Sequence, residues 1–286
     1  MYTRLLCVSA NQSFAASDDQ NSGFYKMLGE LAEACKSDGR RIISSSSKDG
    51  INYFSAGNYC GFACLTDGTL IEILPYAKGG AAEARKLLCA EFCRRCGAVF
   101  DASGFDPDMN FMEYLISVFA GETMKIIKSG VLSAYASIEE NVTSVQGTIL
   151  FSENNRRNLV HRERIYVRHE VFTSDRAENR IIKAAATIFN KNTANSHSSH
   201  LLKEALSFLD DVRKIYDVKA EFSKCINARN TKKYNTVLSI CRMIFDKDEG
   251  TAFTAKNISC AQFYEMMPQE KKQKVKVVPV SKRERT

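Results

Sequence analysis

Short apolar runs alternate with polar and turn residues over the first eighty positions, the period-two pattern of strands. Residues 51–55, 59–65 and 69–74 read as strands in this way, and Thr66, Asp67 and Gly68 predict a hairpin turn between the last two. A 3.6-residue period over 24–35, 81–96, 111–127, 201–216 and 232–245 predicts amphipathic helices. Residues 145–151 and 164–172 are strand-like, the second alternating apolar with polar positions. Asp175 is placed to cap a further helix, with Glu178 three residues on completing a capping box and Ile181, Ala185, Ile188 and Phe189 forming its apolar stripe. The pattern therefore predicts an α+β fold, with a β-rich N-terminal part followed by a mostly helical part carrying a few inserted strands. Its expected divisions are 1–98, ending in a cysteine-bearing helix; 99–266, mostly helical; and 267–286, a basic tail too poor in apolar residues to pack.

Composition narrows the classes open to this pattern. The chain has 286 residues, 44% hydrophobic and 26% charged, as in ordinary globular proteins. No apolar run approaches the roughly 20 residues of a membrane-spanning helix, and the apolar start breaks off at Asn11, too early for a signal-peptide core. The expected location is the cytoplasm, with no membrane partner. The net charge of +7 is concentrated at the end, where seven basic residues from Lys271 to Arg285 face only Glu270 and Glu284. The body is close to neutral, so global charge does not mark a nucleic-acid binder.

Ten cysteines without an export signal argue for reduced thiols. Cys89, Cys93 and Cys96 match the C-x3-C-x2-C spacing of radical-SAM iron–sulfur sites. They also fall within a ~60° arc of a helix whose apolar stripe is Ala84, Leu88 and Phe92, which predicts core packing and no metal. His197 and His200 lack the two further ligands zinc requires. Pro107-Asp108 and Asp217-Val-Lys219 would supply the halves of a metal-nuclease motif, but several predicted helices separate them. Walker A, G-x-S-x-G and G-x-G-x-x-G sequences are all absent. The residues alone name no catalytic constellation.

Two stretches resemble the McrC subunit of McrBC-type, modified-cytosine-specific restriction systems. The first runs from Tyr59 through Gly61 to Ile71-Glu-Ile-Leu-Pro75. The second begins at Gly130-Val-Leu-Ser-Ala-Tyr135 and continues through Glu139-Glu-Asn-Val142, Gly147-Thr-Ile-Leu-Phe151, Asn158 and Tyr166-Val-Arg-His-Glu170. It ends at Ser174-Asp-Arg-Ala-Glu-Asn-Arg-Ile-Ile-Lys183. The resemblance places a helix end at Tyr135 and a helix start at the Asn179-Arg180-x-x-Lys183 segment. Thr148 and Tyr76 stand where the family usually has basic residues. Family members also continue into a PD-(D/E)xK nuclease domain, which the resemblance leaves this chain without.

The resemblance implies a subunit that docks on an McrB-like AAA+ ring and stimulates its GTP hydrolysis. GTP and Mg would then sit on the partner, and this chain would bind no cofactor of its own. Asn179, Arg180 and Lys183 are the candidate partner-binding residues, although they read equally as a polar helix start bonded to its own surroundings. Arg156, Arg157, Arg162, Arg164 and Arg168, with Lys271, Lys272, Lys274 and Lys276 of the tail, are candidates for the DNA backbone. A charged strand edge that resists aggregation is the alternative for the arginines. A split nuclease completed by a separate chain, a cryptic nuclease and an inactive remnant are the competing readings of the whole.

Overall fold

The computed structural model describes residues 4–15, 22–37, 41–48, 51–65, 68–102, 105–215, 217–225, 229–245 and 258–265. The architecture is α+β, and its centre is a four-stranded sheet. Strands β1 (Arg4–Ser9), β5 (Tyr59–Leu65), β6 (Thr69–Leu74) and β10 (Ile258–Glu265) lie in the order β1-β6-β5-β10. β1 runs parallel to β6, and the other neighbours are antiparallel. Gly68, at φ 83, turns the chain into β6 as the sequence predicts.

Both faces of this sheet are covered, which is why β6 reads as an almost unbroken apolar run. On one face, Leu6, Val8, Ala63, Leu65, Ile71 and Ile73 pack against Leu28 and Leu31 of helix α1 (Ser22–Ser37). The same cluster takes in Ile43 and Phe54 from a second sheet, β2 (Ser13–Ala15), β4 (Ile51–Ala56) and β3 (Ile43–Lys48), ordered β2-β4-β3. On the other face, Cys60, Phe62, Leu70 and Leu74 meet the main helical core. That core is built from α2 (Gly80–Cys96), α3 (Phe111–Lys128), α5 (Ala177–Asn192), α6 (Ser196–Phe208) and α8 (Asn235–Phe245). It runs across the division expected near residue 98, and β10 returns to the N-terminal sheet from the far end of the described chain.

Cys89, Cys93 and Cys96 lie on the buried stripe of α2 with Ala84, Leu88 and Phe92. Burial pushes the Cys96 thiol up to about 11 and raises Cys89 and Cys93 as well. Thiols held protonated in this way pack as small apolar groups. Gly97, at φ 77, ends the helix and donates its N–H to the Cys93 carbonyl. Among the described residues no cluster of three or more His, Cys, Asp or Glu could hold a metal ion. None of the described helices is long and apolar enough to cross a membrane.

Several local expectations are corrected. The 145–151 strand shrinks to β8 (Thr148–Ile149), and Phe151 opens a short helix, α4 (Phe151–Arg157). Tyr135 belongs to strand β7 (Ala134–Val142), not to a helix end. Asp175 does not cap α5, because its carboxylate is taken by Arg180 and Arg213, and α5 starts two residues later with no side-chain cap. The helix expected from 201 begins at Ser196, capped by Asn195, whose side chain accepts the Ser198 N–H. His197 and His200 are therefore exposed positions inside α6. Asp217 caps another short helix, α7 (Val218–Phe222), its side chain accepting the Ala220 N–H, while Asp108 gives its backbone N–H to the Asp106 carboxylate.

Candidate functional site

Residues 134–173 form an arm outside both cores. β7 pairs antiparallel with β9 (Ile165–Thr173), and β8 pairs with the other edge of β9. None of these residues belongs to either core cluster, and the arm's elements pack chiefly on one another. Two side-chain devices hold its far end together. Asn154 accepts the Tyr166 N–H at 2.8 Å, and Asn158 donates to both Asn154 and Asn141, at 2.9 and 2.7 Å. Arg157 stacks over the Tyr166 ring at 4.7 Å. Gly147, at φ 73, lies so close to β9 that a Cβ there would meet the Arg168 carbonyl oxygen at 2.3 Å. No other residue fits that turn.

Because side chains alternate along a strand, register places Tyr135, Ser137 and Glu139 on one face opposite Phe172, Glu170 and Arg168. All six are exposed. Tyr135 is 70% and Phe172 63% exposed, with ring centroids 5.2 Å apart. Two large aromatics in tilted contact in solvent on one sheet face need a reason, since strands normally turn such residues inward. Toward the far end Phe151, Leu159 and Val160 are also 70% or more exposed. The opposite face carries Ala136, Ile138, Val167 and Val171, none of which joins a core. That face is half-buried and, at Val167, fully buried, so the Tyr135–Phe172 face is the one open to another protein surface.

The predicted partner-binding residues lie at the root of this arm and are engaged within the chain. Asn179 is only 1% exposed and donates to the Leu132 and Ser174 carbonyls at 2.8 and 2.7 Å. Arg180 donates to the Asp175 carboxylate, the Asp175 carbonyl and Glu221 of α7. Lys183 donates to the carbonyls of Asp210 and Val212 at 2.9 and 2.7 Å, beyond the end of α6. Asn179, Arg180 and Lys183 thus tie α5 to three neighbours and do not present one free polar face.

Burial alone would raise the Asp175 carboxyl, but hydrogen bonds from Arg180 and from the Arg213 backbone and side chain outweigh it and hold the carboxyl well below the usual range. Glu221 shows the same balance, with Lys224 and Arg180 overcoming burial. The arginines of the arm are less free than their number suggests. Arg156 and Arg157 share Glu153, and Arg168 pairs across the strands with Glu139 at 2.6 Å. Arg164 lies 3.6 Å from Glu163. Arg162 is exposed and has no carboxylate partner among the described residues. Lys271, Lys272, Lys274 and Lys276 lie outside the described residues.

The sequence places Phe172 on its strand but Tyr135 at a helix end, and marks neither as a site. The missed signal is that residues 164–172 carry large apolar groups on both faces, which a strand with one face in water does not need.

An exposed aromatic pair on a segment outside both cores marks a surface suited to contact with another protein. The sequence matches the family of the McrBC 5-methylcytosine restriction system component over residues 54–268, and the chain belongs to that family. Its fold is similar to a cryo-EM structure of the Thermococcus gammatolerans McrBC complex, with a TM-score of 0.66 at 17% identity over 92% of this chain and 83% of that one. It is similar too to the refined half-complex from a tetradecameric assembly of T. gammatolerans McrB AAA+ hexamers with bound McrC. There the TM-score is 0.68 at 17% identity, over 92% of this chain and 67% of that one. No curated protein matches the sequence.

Proposed function

We propose that this chain is the McrC-like subunit of a modification-dependent restriction system, which docks on an McrB-like AAA+ GTPase ring and raises its GTP turnover. The observation that carries the reading is the exposed Tyr135–Phe172 pair on an arm that belongs to no core of its own chain. Family membership and the likeness to complexes containing McrB hexamers with bound McrC supply the occupant. A docking subunit accelerates hydrolysis by binding the active ring conformation more tightly than the inactive one. GTP and Mg belong to the ring in this scheme, and DNA is met through the assembled complex in the cytoplasm.

The test is GTP turnover by the cognate AAA+ protein as this chain is titrated in. Turnover should rise to a plateau. A variant carrying Tyr135→Ser and Phe172→Thr should need about tenfold more protein to reach it, because both side chains leave water on docking. Its melting temperature should change little, since the pair contributes only about 0.5–1.5 kcal/mol beyond its burial and is exposed in the free chain. Turnover that stays flat at every concentration, with no complex on a sizing column, would refute the proposal.

A further inference from the structure

We infer that Asn179 and Tyr234 form a clamp that fixes the direction of the arm, making them positioning residues for docking. The backbone of Leu132, two residues before β7, is held through both its N–H and its carbonyl. Its N–H donates to the Tyr234 hydroxyl at 2.8 Å, and its carbonyl accepts from Asn179 Nδ2 at 2.8 Å. The Tyr234 hydroxyl donates in turn to Asn179 Oδ1 at 2.8 Å, closing a ring of three hydrogen bonds. The second Asn179 donor reaches the Ser174 carbonyl at 2.7 Å, one residue beyond β9. One buried amide therefore grips the chain where it enters the arm and where it leaves.

Among the described residues, no other side chain bonds the chain at both its entry to and its exit from the arm. Asn179 sits in the first turn of α5 and Tyr234 ends a 3-10 helix, Arg229–Tyr234, so the clamp refers both roots to two different body elements. Asn179 and Tyr234 are 1% and 0% exposed, so water cannot replace a lost partner without entering the body. Lys233 adds bonds to Ser129 and Gly130, but only on the entry side. With the arm's own residues in neither core, its angle to the body is set at these roots rather than by packing along its length. A ring partner must find the arm in one orientation. A root that let it swing would leave only a fraction of molecules competent to bind, weakening affinity in proportion.

The consequence for binding rests on the docking reading, whereas the clamp is measurable in the free chain. Paired spin labels introduced through non-cysteine chemistry at Ser144 of the arm and Lys203 of α6, both exposed, report the arm's angle as a distance distribution. Wild type should give one narrow distribution. Tyr234→Phe should broaden it, and Asn179→Ala should broaden it further, while binding to the cognate AAA+ protein weakens about tenfold as the competent fraction falls. Ile240→Val, in the body core, should lower the melting temperature and leave the distribution narrow. If Asn179→Ala does not fold, Tyr234→Phe still decides, since it removes a single hydroxyl. A distribution as narrow in Tyr234→Phe as in wild type would overturn the clamp. Broadening in the variants with no ring binding by wild type would leave the clamp standing and remove the docking reading instead.

Discussion

Glu72 accepts the backbone N–H of Phe111 at 2.7 Å, joining β6, one of the two inner strands of the four-stranded sheet, to the first turn of α3. Its second oxygen takes Arg85 of α2 at 2.9 Å, with the glutamate side chain 1% and the arginine 12% exposed. Arg85 also donates to the Pro107 carbonyl at 3.1 Å, in the loop leading to α3. The glutamate of the Ile71-Glu-Ile-Leu segment is thus the fixed point where sheet, α2 and α3 meet. Glu72→Ala would strand a buried guanidinium and a buried N–H, and is expected to cost about 3–5 kcal/mol. Glu72→Gln keeps an acceptor for Phe111 and should cost less. Urea unfolding of the two variants measures the difference, and equal losses would show that the Phe111 bond contributes nothing.

The Asp175 carboxylate gives the stability of the fold a particular pH dependence. Its pKa is depressed in the folded state, so its contribution is present above the unfolded value of about 3.9 and fades as pH falls toward the folded one. Asp175→Asn should lower stability at pH 7 by about 1.5–3 kcal/mol, the range for charge-assisted hydrogen bonds. The gap between variant and wild type should begin to narrow below about pH 4 and go on narrowing down to pH 2. Unfolding curves from pH 7 to 2 test this, and a gap that stays constant would contradict it. Arg180→Ala should be comparably destabilising, which makes it a poor probe of docking.

Thiol chemistry separates the core from the radical-SAM reading of the same three cysteines. Cys60, Cys89, Cys93, Cys96 and Cys241 are buried and their thiols are held protonated. Iodoacetamide at pH 8 should therefore modify them only after denaturant is added. Mass-spectrometric mapping of native and unfolded samples reads this out. Rapid native labelling of Cys89 and Cys93, or stoichiometric iron in anaerobically purified protein, would point to an open metal loop instead.

What the sequence discloses and what it hides follow from the range of the interactions. The helices are legible because α2, α3 and α5 carry their stripes at 3.6-residue spacing within a single segment. The return of β10 to β5 is not legible, because its pairing depends on a sheet assembled nearly the whole chain away. β7 was missed because Glu139, Glu140 and Asn141 interrupt the apolar alternation, and only the register with β9 gives those residues partners. For the Asn179-Arg180-x-x-Lys183 segment the sequence offers a partner-binding face or a polar helix start bonded to its own surroundings, and the intrachain bonds become visible only in the fold. Polar side chains off an apolar stripe look free until the carbonyls of Leu132, Asp210 and Val212 arrive beside them.

DNA affinity, if the isolated chain has any, should come from the terminal lysines rather than from the arm. Four of the five arm arginines lie within 4 Å of a glutamate oxygen, so a phosphate must compete with a carboxylate already in place. Lys271, Lys272, Lys274 and Lys276 fall in a stretch where basic residues greatly outnumber acidic ones, which favours phosphate contact without base recognition. Each phosphate neutralised on duplex DNA contributes about −0.9 to the slope of log K against log[salt]. Replacing the four lysines with glutamine should flatten that slope by roughly 3 to 4. Replacing Arg156 and Arg157 with glutamine should leave it nearly unchanged. Binding measured across a salt series for the two variants discriminates directly. A slope carried by Arg156 and Arg157 would move the nucleic-acid contact onto the arm and set it in competition with the docking surface.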